Sequence, residues 1–237
     1  MATKEQVVAD RTFATERYIL STMPVLYLPL WKTDSGESGD SFISSDGHGF
    51  TCTVTGALWT PTGRVFDGSN DNILISSHAS LNPEKLSVEF WVYINAHADF
   101  NSIVAKDYSG ANNYRFLSAA DGTLTWALRD KNGTSNWEVV TAPVNSGEWI
   151  HVVGVADQVP TSGVGGIVGI YINSALIKAD LSHSVTEILH GSNANDLYVG
   201  FTSNALDGRI GEVRIYNRIL TPLEIQRSYL ATKWRYQ

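Results

Sequence analysis

The stretch Leu86-Ser-Val-Glu-Phe-Trp-Val-Tyr-Ile94 decides the fold class of this chain. Every second side chain in it is large and apolar, which is the period of a β-strand with one buried face. We expect four apolar side chains to point into the core: Val88, Phe90, Val92 and Ile94. We expect the three that alternate with them to point the other way: Glu89, Trp91 and Tyr93. Burial of each large side chain contributes about 1.5–3 kcal/mol, so the stretch is first of all a packing motif.

Short β-rich runs recur on both sides of this strand at the spacing of hairpins. The chain contains 20 Gly and 11% aromatic residues, a balance that favours many short strands joined by glycine turns. Asp121-Gly122 and Asn173-Ser174 are suited to tight turns. The predicted strands are Val25–Leu28, Phe50–Val54, Asn72–Ile75, Ser87–Ile94, Ser102–Ala105, Tyr114–Ser118, Thr123–Leu128, Trp149–Ala156, Ile167–Ile172, Ala175–Lys178, Asp196–Phe201 and Arg209–Tyr216. Because no long helix separates them, the pattern excludes a parallel βαβ fold.

One helix is predicted near the C-terminus. In Thr221-Pro222-Leu223-Glu224, a capping hydroxyl, a first-turn proline and a third-position carboxylate stand in the order of a capping box. We expect this helix to run to about Thr232.

The composition indicates a single globular body and narrows the possible partners. Of the 237 residues, 43% are hydrophobic and 17% are charged, which is enough apolar material for one core. The net charge of -7 argues against a nucleic-acid partner, whose phosphates need basic side chains. The single cysteine, Cys52, excludes an internal disulfide and a multi-cysteine zinc site, and we interpret it as a small buried hydrophobe.

The six histidines show no metal-ligand spacing. His151 lies within an apolar strand, so we interpret it as a packed, hydrogen-bonded residue rather than a catalytic base. The apolar stretch 18–31 is interrupted by Pro24 and Pro29 and is shorter than the roughly 20 residues that cross a bilayer, so no membrane span is predicted. The N-terminal residues do not have the pattern of a secretory signal, although a mature form with its signal removed would look the same.

Residues 1–24 differ from the rest and are interpreted as an N-terminal arm preceding a domain of residues 25–237. The apolar residues of the arm are too few to fold alone, because an isolated helix of this length is marginal in water. They therefore need a partner surface, which belongs either to the same domain or to a neighbouring copy. We favour the neighbour, so that the arm would tie copies of the chain into an assembly.

Several blocks of sequence, in this order, resemble a laminin G-like or concanavalin A-like jelly-roll domain. They are Val65-Phe-Asp-Gly-Ser-Asn-Asp-Asn-Ile73, the stretch 86–94, Ile103-Val-Ala-Lys106, Gly147-Glu-Trp-Ile-His-Val-Val-Gly-Val155, Ile170-Tyr-Ile-Asn173 and the segment 206–225. Together they cover most of residues 25–230. The resemblance implies an all-β fold of two antiparallel sheets packed face to face, with a short C-terminal helix here, and frequent roles in carbohydrate or protein binding. It does not imply catalysis.

The resemblance also raises calcium as a cofactor, because members of the family often hold one through oxygen ligands near a sheet edge. Candidate ligands are Asp67, Asn70, Asp71 and, more distant in sequence, Glu212. Gly211 departs from the family, which commonly has an aspartate there, so we expect weak or absent calcium dependence. The alternative is that the loop residues only cap a turn through hydrogen bonds to the backbone.

For glycan binding, the sequence offers an aromatic side chain among polar ones. Trp126 alternates with Leu124 and Leu128 and is therefore expected in the core. Trp137 is the better surface candidate, although it too would be buried if it packs in the sandwich. The predicted glycan-binding residues are Trp137, Arg129, Asp130 and Asn136.

A glycosidase on this fold would need two carboxylates about 5–10 Å apart on one strand face, and the Glu-x-Asp-x-x-Glu pattern of related glucanases is absent. We therefore predict a non-catalytic jelly-roll protein, most specifically a surface component of a virus or phage particle that acts in assembly or attachment. A free-standing carbohydrate-binding lectin is the alternative, and a glycoside hydrolase is the third. The expected location is a virion or the extracellular surface.

Overall fold

The computed structural model describes residues 23–33, 41–106, 114–129, 137–157, 167–180, 195–200 and 204–237. Within them the chain forms short strands and one C-terminal α-helix, as predicted. The elements are β1 (Leu26–Leu28), β2 (Ser41–Ile43), β3 (Thr51–Thr55), β4 (Leu58–Thr60), β5 (Gly63–Asp67), β6 (Asn72–Ile75), β7 (Lys85–Ile94), β8 (Asn101–Ala105), β9 (Tyr114–Ser118), β10 (Thr123–Arg129), β11 (Trp137–Pro143), β12 (Trp149–Asp157), β13 (Val168–Ile172), β14 (Ala175–Asp180), β15 (Leu197–Val199), β16 (Asp207–Tyr216) and α1 (Pro222–Thr232). Of the predicted arm, residues 1–22 lie outside the described residues.

The strands form two antiparallel sheets. Sheet A has the order β14-β13-β12-β7-β16-β5-β4, and β1 also pairs with β16. Sheet B has the order β11-β10-β9-β8-β15-β6-β3-β2. The longest ladders join β7 to β12 and to β16, so the strand that decided the fold class lies at the centre of sheet A. The prediction of an all-β jelly-roll sandwich with a short C-terminal helix is confirmed.

The main hydrophobic core lies between the two sheets. The four apolar side chains predicted on β7 are fully buried there, and so are Leu124, Trp126 and Leu128 on β10. The Trp126 ring stacks on Phe116 with centroids 4.5 Å apart. Gly154 on β12 lies against this pair, because a Cβ atom there would come within 2.5 Å of the Phe116 ring. Strand alternation therefore placed the inward side chains correctly.

Part of the outer face of sheet A is covered by α1 and by the C-terminal segment that follows it, residues 233–237. The capping box is formed, since the Thr221 hydroxyl accepts from the Glu224 amide and the Glu224 carboxylate accepts from the Thr221 amide. Beneath the helix, Trp91 is only 1% exposed and its indole nitrogen donates to the Thr232 hydroxyl at 2.8 Å. The outward residues of β7 are therefore largely buried, which the pattern of one strand could not show.

Gly211, where the resemblance led us to expect an aspartate, accommodates the C-terminal segment. It interrupts the register between β16 and β7, and a Cβ atom there would lie 2.3 Å from the Tyr236 ring. That ring in turn stacks on Trp91 at 4.5 Å. A side chain at this position would displace Tyr236, so the departure from the family pattern has a packing cause.

No helix in the described part of the chain is long and apolar enough to cross a membrane.

Candidate binding site on sheet B

A pocket of about 260 Å³ opens on the outer face of sheet B, over β9, β10 and β11. Because Trp126 points into the core, the adjacent residues Thr125 and Ala127 point outward and form part of its floor. Register extends this floor across the sheet: Thr125 pairs with Leu117, and Ala127 pairs with Val139. The pocket is lined by Asp99, Phe100, Arg115, Leu117, Ser118, Ala119, Thr125, Ala127 and Val139.

The floor of the pocket is apolar and the sides carry charge. Leu117 is 5% exposed and Ala127 is 2% exposed, although both lie on an outer face. Asp99 and Arg115 are the two charged residues of the lining. An apolar floor with a few polar groups at the side is the usual composition of a small-ligand site.

Phe100 forms an exposed aromatic wall beside the floor. Its side chain is 61% exposed, and its backbone has a φ of 62°, which is the left-handed region. A large non-glycine residue held there costs on the order of 1–3 kcal/mol, and such outliers concentrate at functional sites. The loop is anchored through Asp99, whose carboxylate accepts from the Ala120 amide at 3.1 Å and whose carbonyl accepts from the Asn204 side chain at 3.2 Å.

Two of the predicted glycan-binding residues lie on β10 and β11, the strands that carry the pocket residues Ala127 and Val139. Arg129 and Trp137 are cross-strand partners, two positions beyond the pocket pair Ala127 and Val139. Asp130 and Asn136 lie outside the described residues. The sequence contained no signal for Phe100, because neither its exposure nor its backbone conformation follows from local pattern.

The predicted calcium loop is held by its own hydrogen bonds. The Asp67 carboxylate accepts from the Ser69 amide at 2.9 Å, and the Asp71 carboxylate accepts from the Asp67 amide at 3.1 Å. Burial and the charge of Asp67 raise the pKa of Asp71, while the amide hydrogen bond lowers it, and the net shift is upward. The carbonyl of Asn70 accepts from the Asn72 side chain at 3.0 Å.

Glu212 is not brought to that loop. The residue of β16 in register with Asp67 is Asp207, and Glu212 lies further along the strand beneath the C-terminal segment. Within the described ranges, no group of three or more His, Cys, Asp or Glu side chains is placed to hold a metal ion.

A buried ionic network lies between sheet A and α1, centred on Glu89. Its carboxylate is contacted by His151 Nε2 at 2.8 Å, by Arg214 Nη1 at 3.3 Å and by the hydroxyls of Tyr216, at 3.0 Å, and Ser228. Burial raises the pKa of Glu89, but the hydrogen bond from His151 and the charge of Arg214 outweigh burial and hold the pKa at about 2. His151 is fully buried, so its predicted role as a packed, hydrogen-bonded residue is confirmed.

Glu212 forms the second half of this network. It receives hydrogen bonds from the Tyr27 hydroxyl at 3.3 Å and the Trp31 indole at 3.4 Å. It also pairs with Arg214 at 3.2 Å and with Arg235 at 3.7 Å.

Glu89 and Glu212 are the kind of carboxylate pair that a glycosidase requires, since both project from one face of adjacent strands. Each is only 2% exposed, however, and both are paired with Arg214. A sugar cannot reach them while α1 is docked, so the arrangement stabilises the helix on the sheet.

A larger and more open cavity of about 540 Å³ lies where the β9–β10, β11–β12 and β13–β14 connections meet. Its charged lining residues are Asp121 and Glu148, both exposed. Hydrogen bonds from the Thr123 hydroxyl and amide lower the pKa of Asp121. The sheet B pocket is smaller, but its floor is more apolar and Phe100 gives it an aromatic wall, whereas the described residues that line the larger cavity include no aromatic one.

The sequence of this chain matches a family model of laminin G type, described as the concanavalin A-like lectin/glucanases superfamily, over residues 67–226. The chain belongs to this superfamily. No curated protein sequence matches it significantly. The other similarities of this laminin G-like domain are to solved structures.

Several botulinum neurotoxin binding domains share the fold. The receptor-binding domain of type G has a TM-score of 0.66 at 18% identity, with 89% of this chain and 52% of that chain covered. The binding domain of type DC, in complex with rat synaptotagmin II, gives 0.67 at 14% identity, with 90% and 52% covered. The ligand-binding domain of serotype D, in complex with N-acetylneuraminic acid, gives 0.63 at 16% identity, with 88% and 50% covered. This chain thus spans about half the length of these structures, and at such identities the likeness shows the fold.

Proposed function

We propose that this laminin G-like domain is a non-catalytic recognition domain that binds carbohydrate in the pocket on sheet B. The observation that carries the proposal is the Phe100 ring, exposed beside an apolar floor and held in a left-handed backbone conformation. A pyranose presents an apolar C–H face and a rim of hydroxyl groups. The ring of Phe100 would stack on the C–H face. The Asp99 carboxylate would accept hydrogen bonds from the hydroxyl groups, and the Arg115 guanidinium would donate to them.

Arg129 and Trp137 extend the proposed site. They pair with each other two positions beyond Ala127 and Val139 along the β10–β11 ladder.

The structural neighbours support binding as the class of function. One of them was solved with N-acetylneuraminic acid and another with a protein receptor. Because this chain corresponds to about half of each, neither ligand is assigned to it. The burial of Glu89 and Glu212 supports the non-catalytic part of the proposal.

The test is a glycan array followed by calorimetric titration of each bound glycan. Phe100→Ala and Phe100→Gly both remove the ring, and the glycine variant also relieves the backbone strain, so its fold should be at least as stable. Both variants should lose binding. The matched control is Trp234→Ala, which removes another exposed aromatic ring, 68% exposed and remote from Phe100 in the sequence. This variant should bind normally. An array with no hits, or one in which every hit survives both Phe100 variants, would refute the site.

A second candidate function is a surface component of a virus or phage particle, exposed outside the cell, whose copies associate through residues 1–24. A row of exposed apolar side chains on and after α1 favours an interaction surface: Leu223 is 53% exposed, Leu230 is 52% and Trp234 is 68%. Leu223 and Leu230 are two turns apart and so lie on one side of the helix.

Deleting residues 1–24 tests this candidate by sedimentation of the truncated and full-length chains. The truncated chain should fold cooperatively and no longer assemble. An unchanged particle size would refute assembly through the arm. Loss of the fold would show that the arm packs on its own domain.

A further inference from the structure

The part of the sheet A outer face that α1 leaves uncovered carries one continuous row of side chains. Cross-strand pairing joins its members directly, from β4 through β5, β16 and β7 to β12. The row is Leu58, Val65, Arg209, Tyr93 and Trp149. Four interstrand steps of about 4.8 Å give it a length of about 19 Å.

The members of the row are accessible, and three of them are in side-chain contact. Leu58 is 56% exposed, Arg209 is exposed, and the other three are half-buried. The guanidinium of Arg209 lies over the Tyr93 ring at 5.2 Å, and Tyr93 meets Trp149 edge to face at 5.8 Å. Trp149 also contacts Tyr236 at 4.8 Å, so the C-terminal segment borders the row on one side. These contacts hold the aromatic side chains in place at the surface.

A second, polar row runs alongside the first. Asp67 and Asp207 lie two residues along their strands from Val65 and Arg209, and Asn95 lies two residues from Tyr93, just past the end of β7. A spacing of two residues places them on the same side as the first row. Asp207 pairs in register with Asp67, and the Asn95 amide donates to the Asp207 carboxylate at 2.6 Å. The two rows are about 7 Å apart, which is two residues of a strand. Asp67, considered above as a calcium ligand, here becomes one of three hydrogen-bonding groups along a line.

We propose that these two rows form a binding surface for an extended, neutral polysaccharide chain. Tyr93 and Trp149 of the first row would stack against the C–H faces of successive sugars, while carboxylate and amide oxygens of the polar row would accept hydrogen bonds from their hydroxyls. Arg209 would donate to ring or hydroxyl oxygens. The carboxylates at the side of the row disfavour an acidic chain, because like charges would be placed together. The first row is only one residue wide. A stable protein interface buries roughly 1,000 Å² of surface with an apolar centre, so a protein partner fits less well.

The surface is independent of the proposed site on sheet B, because it lies on the opposite sheet of the sandwich. Two sites facing away from each other would allow one domain to link two glycan chains, or to bind one surface with increased avidity when several copies are assembled. The inference therefore goes beyond the proposed function and does not need it.

Affinity electrophoresis in gels containing soluble linear β-glucan, xylan or mannan, followed by titration with oligosaccharides of increasing length, tests the surface. Tyr93→Ala and Asp207→Asn probe the two rows separately, and neither replaces a side chain of the core between the sheets. Each should weaken binding about tenfold or more, which corresponds to about 1.4 kcal/mol. Leu176→Ala, an exposed apolar residue of β14 in the same sheet but outside the row, is the matched control.

Affinity should also rise with chain length until the row is filled. Retardation by none of the polysaccharides, or retardation equal in the Tyr93, Asp207 and Leu176 variants, would overturn the proposal. The proposal would also be overturned if a photoreactive residue at position 93 crosslinked to a protein partner while the domain bound no glycan. Phe100→Gly should leave retardation unchanged, so the failure of the sheet B site and the failure of this surface give different results.

Discussion

Glu89→Gln should destabilise the domain and remove part of its sensitivity to acid. The folded-state pKa of Glu89, at about 2, lies below its ordinary value of 4.5. Between these values the unfolded chain binds the proton more readily than the folded one, so protonation favours unfolding. The carboxylate thus contributes stability that is fully present above about pH 4.5 and is lost as the pH falls toward 2. Since one pKa unit corresponds to about 1.4 kcal/mol, this contribution is about 3 kcal/mol.

The glutamine variant loses the charge but keeps nearly the same shape. Buried His151 then loses its carboxylate partner, and Arg214 keeps only its ion pair with Glu212. Breaking a buried pair in this way costs about 3–5 kcal/mol. The free energy of unfolding would be measured by urea denaturation from pH 7 down to pH 2.5. Glu148→Gln, which changes an exposed glutamate, is the control and should shift stability by less than about 0.5 kcal/mol.

The decisive quantity is the difference between wild type and variant at each pH, because other carboxyl groups contribute to the acid slope of both. That difference should shrink as the pH falls from 4.5. A difference that stays constant down to pH 2.5, or a Glu89→Gln protein as stable as the wild type at pH 7, would show that Glu89 does not hold α1 on the sheet. The buried carboxylate would then need another explanation, and a catalytic one would regain interest.

Three further outcomes are expected. Trp126→Ala should cost about 3–5 kcal/mol in urea denaturation, because the ring is fully buried, whereas Trp137→Ala should weaken glycan binding in calorimetry with little change in stability. Gly211→Ala should cost about 1–3 kcal/mol through overlap with the Tyr236 ring, and a double-mutant cycle with Tyr236→Ala should recover part of that cost. A chelator should leave the melting temperature unchanged; a calcium site at the Asp67 loop, filled at about 100 times its Kd, would instead add about 2.7 kcal/mol, and its loss would appear as a fall of several degrees.

The residues of the candidate sites were only partly predictable from the sequence, because their positions depend on cross-strand register and on backbone conformation. Trp137 and Arg129 were chosen because an aromatic side chain there stands among polar ones, and the structure pairs them two positions beyond the pocket pair Ala127 and Val139. Phe100 was missed because its importance depends on a left-handed backbone conformation and on the strands beneath it. Glu212 was grouped with the loop at Asp67, yet cross-strand register separates them and gives Glu212 to two arginines.

The sequence by itself determined the strand pattern, the inward side chains and the C-terminal helix. Alternation is a local property, so four apolar side chains of β7 and Trp126 could be assigned to the core, and the capping box at Thr221 depends on residues only three apart. Four strands were missed, β2, β4, β5 and β11; two of them have only three residues, too few to show a period.

Only the tertiary structure decided what covers each outward face. The residues that bury Glu89 and Trp91 come from α1 and the C-terminal segment, well over a hundred positions away in the chain, as the contacts from Ser228 and Thr232 show. A period of two says that a side chain leaves the core side of a strand, but it carries no information about which distant segment then packs on it. For that reason the same alternation produced a buried ionic network under α1 and, a few residues along the same strands, an open row of aromatic and polar side chains.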